Sequence, residues 1–215
     1  TLAACRAQAP STPPAAPAPA VDKGVADLQV KSARFAPTDL TGANPRPDLR
    51  PDIVNNSWGG PGNNPWYQAT VSAWLASGIY PQFSNGNNGP ACNTSGSPGD
   101  YVSSYSAGAF DINNVIATFS SRGASAFGGE IKPNIAAPGV AVRSSLPGGG
   151  YGANNGTSMA SPHVAGTVAL MWSAAPSLLH DIAATRTLLD DTAIDTSDLT
   201  PDEVVDLILE HLAAP

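Results

Sequence analysis

Over residues 51–83 the chain spells a strand, a helix and a second strand in close succession, the order of a parallel crossover unit. Ile53 and Val54 open a short β-branched run that ends at Gly59 and Gly60, as a buried strand feeding a loop would. A helix follows at once. Asn64 is a capping type, Pro65 suits the first helical position, apolar residues recur at Trp66, Val71, Trp74 and Leu75, and Gly78 supplies a stop. Residues 79–83 then read as the next strand, and the sheet is expected to be mainly parallel.

Further strands are predicted at 106–110, 115–119 and 140–144, between Gly-rich and Asn-rich loops. A helix is predicted from Thr157 past Leu170. Its interior, VAGTVALMWSAA, has no polar face, which predicts burial on all sides. Two amphipathic segments close the chain, one over 181–189 and one opened by the capping box Thr200-Pro201-Asp202-Glu203 and running through Leu212. The other end reads differently. Residues 11–20, STPPAAPAPA, favour an extended polyproline-like conformation, and 1–35 are expected to be poorly ordered. No internal repeat is present.

Glycine and proline contribute 21 residues each to a chain of 215, too many for a helical bundle and consistent with long loops around a compact core. An apolar fraction of 42% with 13% charged residues suits one compact secreted domain. The formal charge of −7 and the absence of clustered Lys or Arg argue against a nucleic-acid surface. No apolar run reaches the roughly 18 residues a membrane span needs, and the opening TLAACRAQAPSTPP lacks the apolar stretch of a signal peptide, so any export signal is expected upstream. Cys5 and Cys92, the only two cysteines, fit neither a zinc set nor a C-x-x-C pair; one disulfide is the sole possible framework, and the sequence leaves its formation open.

The chemistry concentrates in Gly156-Thr157-Ser158-Met159-Ala160-Ser161-Pro162-His163. A serine in the first turn of a rigid helix has its hydroxyl fixed by backbone, near free N–H groups and a dipole that favour developing negative charge. Gly156 leaves room for a substrate backbone to approach. The plainer alternative is that Thr157 and Ser158 only cap a core helix. The eight residues closely resemble the serine motif of the subtilases, serine peptidases of subtilisin type. That resemblance implies Ser158 as nucleophile and a three-layer αβα fold with a mainly parallel sheet, incomplete in this chain.

Other segments are similar to the same family in chain order. Ser84-Asn85-Gly86-Asn87-Asn88-Gly89 resembles the segment that holds the oxyanion-hole asparagine, which implies that role for Asn87. A fixed amide donor there stabilises the tetrahedral intermediate more than the ground state. Taken alone, such an Asn/Gly cluster is an ordinary turn. Asn55-Asn56-Ser57-Trp58-Gly59-Gly60 resembles the substrate-binding strand, which implies peptide contacts at Ser57, Trp58 and Gly59; alone it could equally be a buried strand ending in a Gly-Gly turn. Ser84, Asn85 and Gly86 would face it. Gly96-Ser97-Pro98-Gly99 resembles the floor of the primary specificity pocket, with Gly96 as a contact and a cis bond expected at Ser97-Pro98.

Phe119-Ser120-Ser121-Arg122-Gly123 and Lys132-Pro133-Asn134-Ile135-Ala136-Ala137-Pro138-Gly139 resemble the family without catalytic roles, although the family usually has Asp where Asn134 stands. The resemblance covers residues 36–197, is closest to the bacillopeptidase-like branch, and leaves 198–215 as a separate amphipathic helix. It implies polypeptide substrates, extracellular location, a monomer, and neither cofactor nor catalytic metal.

Two expected elements are missing. The family orients its serine with a histidine and an aspartate in His-Gly-x-His and Asp-x-Gly contexts, and neither context occurs. Of the three histidines, His163 lies five residues past Ser158 on one helix, about 140° around it, and cannot reach the hydroxyl. His180 and His211 fall in surface helical segments. The chain as written is therefore expected to be inactive as a peptidase. The alternatives are a non-catalytic peptide-binding remnant of the same fold and a purely structural Ala/Pro-rich domain.

Overall fold

The computed structural model describes residues 50–192. The expectations for 1–35, for 198–215 and for the capping box at Thr200 lie outside the described residues.

Four strands form one parallel sheet in the order β1-β2-β3-β6: β1 is Ile53–Asn56, β2 Tyr80–Ser84, β3 Tyr105–Phe110 and β6 Ile135–Pro138. Two short antiparallel ribbons stand apart from it, β4 (Gly123–Ala124) with β5 (Ile131–Lys132), and β7 (Val142–Ser145) with β8 (Tyr151–Asn154). The crossover from β1 to β2 is helical, as its sequence pattern predicts. The Asn64 side chain accepts a hydrogen bond from Trp66 N at 3.2 Å, a 3-10 turn covers Pro65–Tyr67, and α1 runs over Gln68–Ala76. Gly78, at φ +71°, ends it in a left-handed conformation that favours glycine.

Strand alternation sends side chains to two cores. On one face Val71 and Trp74 of α1 pack with Phe83 and Tyr101. On the other, Tyr80, Tyr105, Ala107 and Ala109 meet Val164, Val168, Met171 and Trp172 of α2 (Thr157–Ala174), with Leu189 of α3 (Ile182–Asp191) closing the cluster. Three layers result, helix, sheet, helix. The alanines of β3 let α2 lie close across the sheet.

Three expectations are corrected. Residues 115–119 are not a full strand: after the turn in which the Asp111 carboxylate accepts from Asn113 N and Val115 N, both at 2.9 Å, the run makes only an isolated antiparallel bridge, Ile116 to Phe110. The run at 140–144 becomes β7 of an exposed ribbon, and the fourth sheet strand is β6, where Lys132-Pro133-Asn134 leads in. Helix α2 is not buried all round; Gly166, Thr167, Ala169 and Leu170 are exposed, Leu170 by 73%. Its lack of a polar face reported composition, not burial. Ser97-Pro98 is cis, as are Gly89-Pro90 and Lys132-Pro133. Cys92 is disulfide-bonded; Cys5 lies outside the described residues.

Candidate active site

Ser158 is the second residue of α2, whose amino terminus meets the carboxyl ends of β1 and β2, the usual place for a ligand in an open parallel sheet. No side chain of the helix caps it; the cap comes from across the cleft. Asn87 Oδ1 accepts from Thr157 N at 2.9 Å and from Thr157 Oγ1 at 3.0 Å. A backbone N–H can only donate, so the atom facing it is the amide oxygen and Nδ2 must point the other way. Thr157 is fully buried, and its hydroxyl also accepts from Gly86 N at 3.2 Å.

The space beside Ser158 is defined by Gly156. A Cβ built there would lie 3.5 Å from Asn87 Nδ2, 3.6 Å from Ser158 N and 3.7 Å from Met159 Sδ. Neither of those two N–H donors has a protein acceptor among the described residues. They converge on one small volume, and the φ of +152° at Gly156 keeps a side chain out of it.

The serine's carbonyl and hydroxyl are held by Ser57, the residue after β1. Pro162 has no N–H to give the Ser158 carbonyl one helical turn back, and Ser57 Oγ donates to that carbonyl instead, at 2.8 Å. Ser158 Oγ donates to Ser57 O at 3.2 Å. Behind them Asn55 Nδ2 donates to Ser57 Oγ at 3.0 Å, and Ser161 Oγ to Asn55 Oδ1 at 2.7 Å. Sequence reasoning missed Thr157, Asn55 and Ser161 as parts of this site. Thr157 and Ser161 sit inside the serine motif and Asn55 begins the strand motif, but residue type alone shows no partner.

Past Ser57, Trp58 and Gly59 make no main-chain hydrogen bond among the described residues, while Gly60 N donates to Ser97 O at 2.9 Å. Trp58 is 40% exposed and rests on Tyr67, ring centroids 5.0 Å apart, and on Trp66 at 5.9 Å. Gly96 lies where a Cβ would come within 2.6 Å of Gly60 O, so only glycine lets the two loops approach. Ser84 is buried at the end of β2. Asn85 is fully buried and fully engaged: its Nδ2 donates to Ser95 Oγ at 3.0 Å and Ser121 O at 2.8 Å, and its Oδ1 accepts from Ser106 Oγ at 3.2 Å. The main chain of Asn85 and Gly86 is likewise bonded, to Ala107, Gly96, Thr157 and Ser121. This side of the cleft is a rigid wall.

Neither described histidine approaches Ser158. His163 Nδ1 contacts Met159 O at 2.8 Å on the outer side of α2. His180 Nδ1 contacts Gly78 O at 2.9 Å and its ring packs on Trp172, fourteen residues and about 21 Å along the helix from Ser158. Among the described residues no three His, Cys, Asp or Glu gather as they would around a metal.

A family model described as the subtilase family, Peptidase_S8, matches residues 23–208. The chain belongs to the subtilase family. It is similar to Bacillopeptidase F of Bacillus subtilis (strain 168), 47% identical over 155 residues that make up 68% of this chain and 10% of that protein. It is also similar to Subtilisin E of the same organism, 41% identical over 144 residues, 66% of this chain and 35% of that one. The subtilase described here thus spans about a third of Subtilisin E and a tenth of Bacillopeptidase F. Among solved structures, Sphericase superposes with a TM-score of 0.63 at 28% identity, covering 80% of this chain and 56% of its own. The structure of S41 Psychrophilic Protease gives 0.60 at 29% identity, over 79% and 55%. The α/β subtilisin fold is therefore that of these peptidases.

Proposed function

We propose that this chain carries the nucleophile and oxyanion side of a subtilisin-type serine endopeptidase site. The observation that carries this reading is the convergence of Asn87 Nδ2 and Ser158 N on the volume next to Gly156. Two preset donors there suit the oxygen of a peptide carbonyl as it gains charge, and suit it more as the charge grows. Ser158 Oγ forms the bond to the carbonyl carbon, and its proton leaves to a base before the amine departs. Trp58 and Gly59 offer free main-chain groups on which an extended peptide can pair, and Gly96 with Ser84, Asn85 and Gly86 walls the adjoining pocket. Polypeptides are the substrates; family membership supports that class. The disulfide at Cys92 suits an oxidising, extracellular location.

A base must come from outside the described residues, since Ser158 Oγ has only a carbonyl for a partner. Because the sequence holds neither the His-Gly-x-His nor the Asp-x-Gly context, the chain 1–215 alone is expected to be slow. Treatment with a fluorophosphonate, with Ser158→Ala as control, tests this. Slow labelling that depends on Ser158 is expected, because the oxyanion donors alone leave on the order of 10³-fold over water. Rapid stoichiometric labelling would show a base within the chain. Peptide binding with no labelling would favour the non-catalytic remnant, and neither would favour a structural role.

A further inference from the structure

The segment Phe119-Ser120-Ser121-Arg122-Gly123 takes no part in the chemistry proposed above, yet it closes directly on the loop that carries Asn87. Asn87 makes no main-chain hydrogen bond among the described residues, and its side-chain oxygen is held by Thr157 alone. The place of its Cα is therefore set by its neighbours, and one residue grips them on both sides. Ser121 N donates to Gly86 O at 3.0 Å, Ser121 Oγ accepts from Asn88 N at 2.9 Å, and Ser121 O accepts from Asn85 Nδ2 at 2.8 Å. The fit is close: a Cβ built on Gly86, at φ +107°, would come within 3.0 Å of Ser121 Oγ. Ser121 is itself fixed. It is fully buried, Ala109 N of β3 donates to the Ser120 hydroxyl at 3.0 Å, and the Arg122 guanidinium folds back to donate to Ser120 O at 3.0 Å and Ala117 O at 2.9 Å.

We propose that Ser121 is a positioning residue for the oxyanion donor Asn87: its hydroxyl holds the loop so that Nδ2 stays at the volume beside Gly156. This rests on the reading of Asn87 under the proposed function. Thr157 fixes which way the Asn87 amide faces, but an amide turned correctly on a displaced backbone still misses its target. A donor has to lie within about 2.7–3.1 Å of the oxygen that gains charge, and a misplacement of about 1 Å can cost on the order of 10²-fold in rate. Removing the Ser121 hydroxyl leaves Asn88 N without its acceptor on one side of Asn87 and opens a gap against Gly86. The main-chain bond from Ser121 N to Gly86 O remains, so the loss should be partial. Ser121 makes no hydrogen bond to Ser158, so its effect on the serine's reactivity has to pass through the 85–88 loop.

Fluorophosphonate labelling of the whole chain 1–215 tests this in a double-mutant cycle. Ser121→Ala should slow labelling of Ser158 about tenfold, and Ser121→Thr, which keeps the accepting oxygen, should recover most of that loss. In the Asn87→Ala background, Ser121→Ala should change the rate by less than about twofold, since the donor it positions is gone. Hydrogen exchange on the parent gives a readout that needs no activity. Asn88 is exposed and its amide has Ser121 Oγ as acceptor, so that amide should exchange at least about tenfold slower than in an unstructured peptide and lose this protection in Ser121→Ala. An unprotected Asn88 amide in the parent would overturn the proposal. So would a loss on Ser121→Ala that is as large in the Asn87→Ala background as in the parent. Slow labelling of Asn87→Ala with full-rate labelling of Ser121→Ala would remove Ser121 alone, whereas full-rate labelling of Asn87→Ala would remove the oxyanion reading and Ser121 with it.

Discussion

The two ends of the parallel sheet treat polar groups in opposite ways. At the carboxyl end, Asn85 bonds to Ser121 and Ser106, Thr157 bonds to Asn87 and Gly86, and two donors without an acceptor among the described residues, Asn87 Nδ2 and Ser158 N, lie beside Gly156. At the amino end, the Ser104 hydroxyl and Glu130 Oε2 are buried with no partner among the described residues, and Lys132 has no exposure at all. Unsatisfied donors at a surface cost little and are free to bind; unsatisfied groups inside cost stability. Changes at the first end should therefore move reactivity, and changes at the second should move stability and its pH dependence.

The largest effect should fall at the first end. Asn87→Ala should lower the rate of Ser158 labelling about 10²–10³-fold, a loss of about 2.7–4 kcal/mol; that range comes from an enzyme of this same family, not from this geometry. Gly156→Ala should do similar damage, since its methyl enters the shared volume at a strained φ. Thermal unfolding of Asn87→Ala should stay much closer to that of the parent than the rate does. A large loss of stability with unchanged labelling would erase the contrast.

At the second end, burial pulls the Lys132 ammonium down from 10.5 to about 8, with Glu130 opposing that shift. Between those values the unfolded chain holds a proton that the folded one has released, so stability rises with pH from about 8 toward 10.5. The full gain is about 3 kcal/mol as an order of magnitude. Tyr80 and Tyr105 are raised by burial, so above about pH 10 the unfolded chain ionises first and stability falls again. Denaturant titrations from pH 7 to 11 should show the maximum, and Lys132→Met should flatten its lower limb.

A smaller effect tests how Lys132 is balanced. Asn134 Oδ1 accepts from Lys132 Nζ at 2.8 Å, while its Nδ2 donates to Glu130 Oε1 at 2.7 Å, itself 3.5 Å from the ammonium. Glu130 thus supplies a carboxylate close to the position where the family usually has Asp. Asn134→Asp should help only together with Glu130→Gln, because alone it sets two carboxylates against each other. A double-mutant cycle should give coupling of about 1–2 kcal/mol. Smallest of all, Trp66→Ala should cost under about 1 kcal/mol, since the ring is 60% exposed and stacks only on Trp58 and Tyr67.

The order of elements and the identity of the family were legible in the sequence because both are local. The crossover over 51–83 is written in caps, breakers and apolar spacing, and the serine motif in eight consecutive residues. Partners were not legible. Nothing in Asn85 as a residue type shows its buried side-chain bonds to Ser95, Ser106 and Ser121, which depend on segments distant in sequence. The 115–119 run carries strand-forming residues, yet it folds back after a turn and makes only one antiparallel bridge, Ile116 to Phe110. The apolar text of α2 gave a helix without saying which face a sheet would cover, because burial depends on what lies opposite. Residue types and short-range geometry were thus determined by the sequence itself. Which donors end up paired, open or stranded was decided only when chain segments far apart in sequence met in three dimensions.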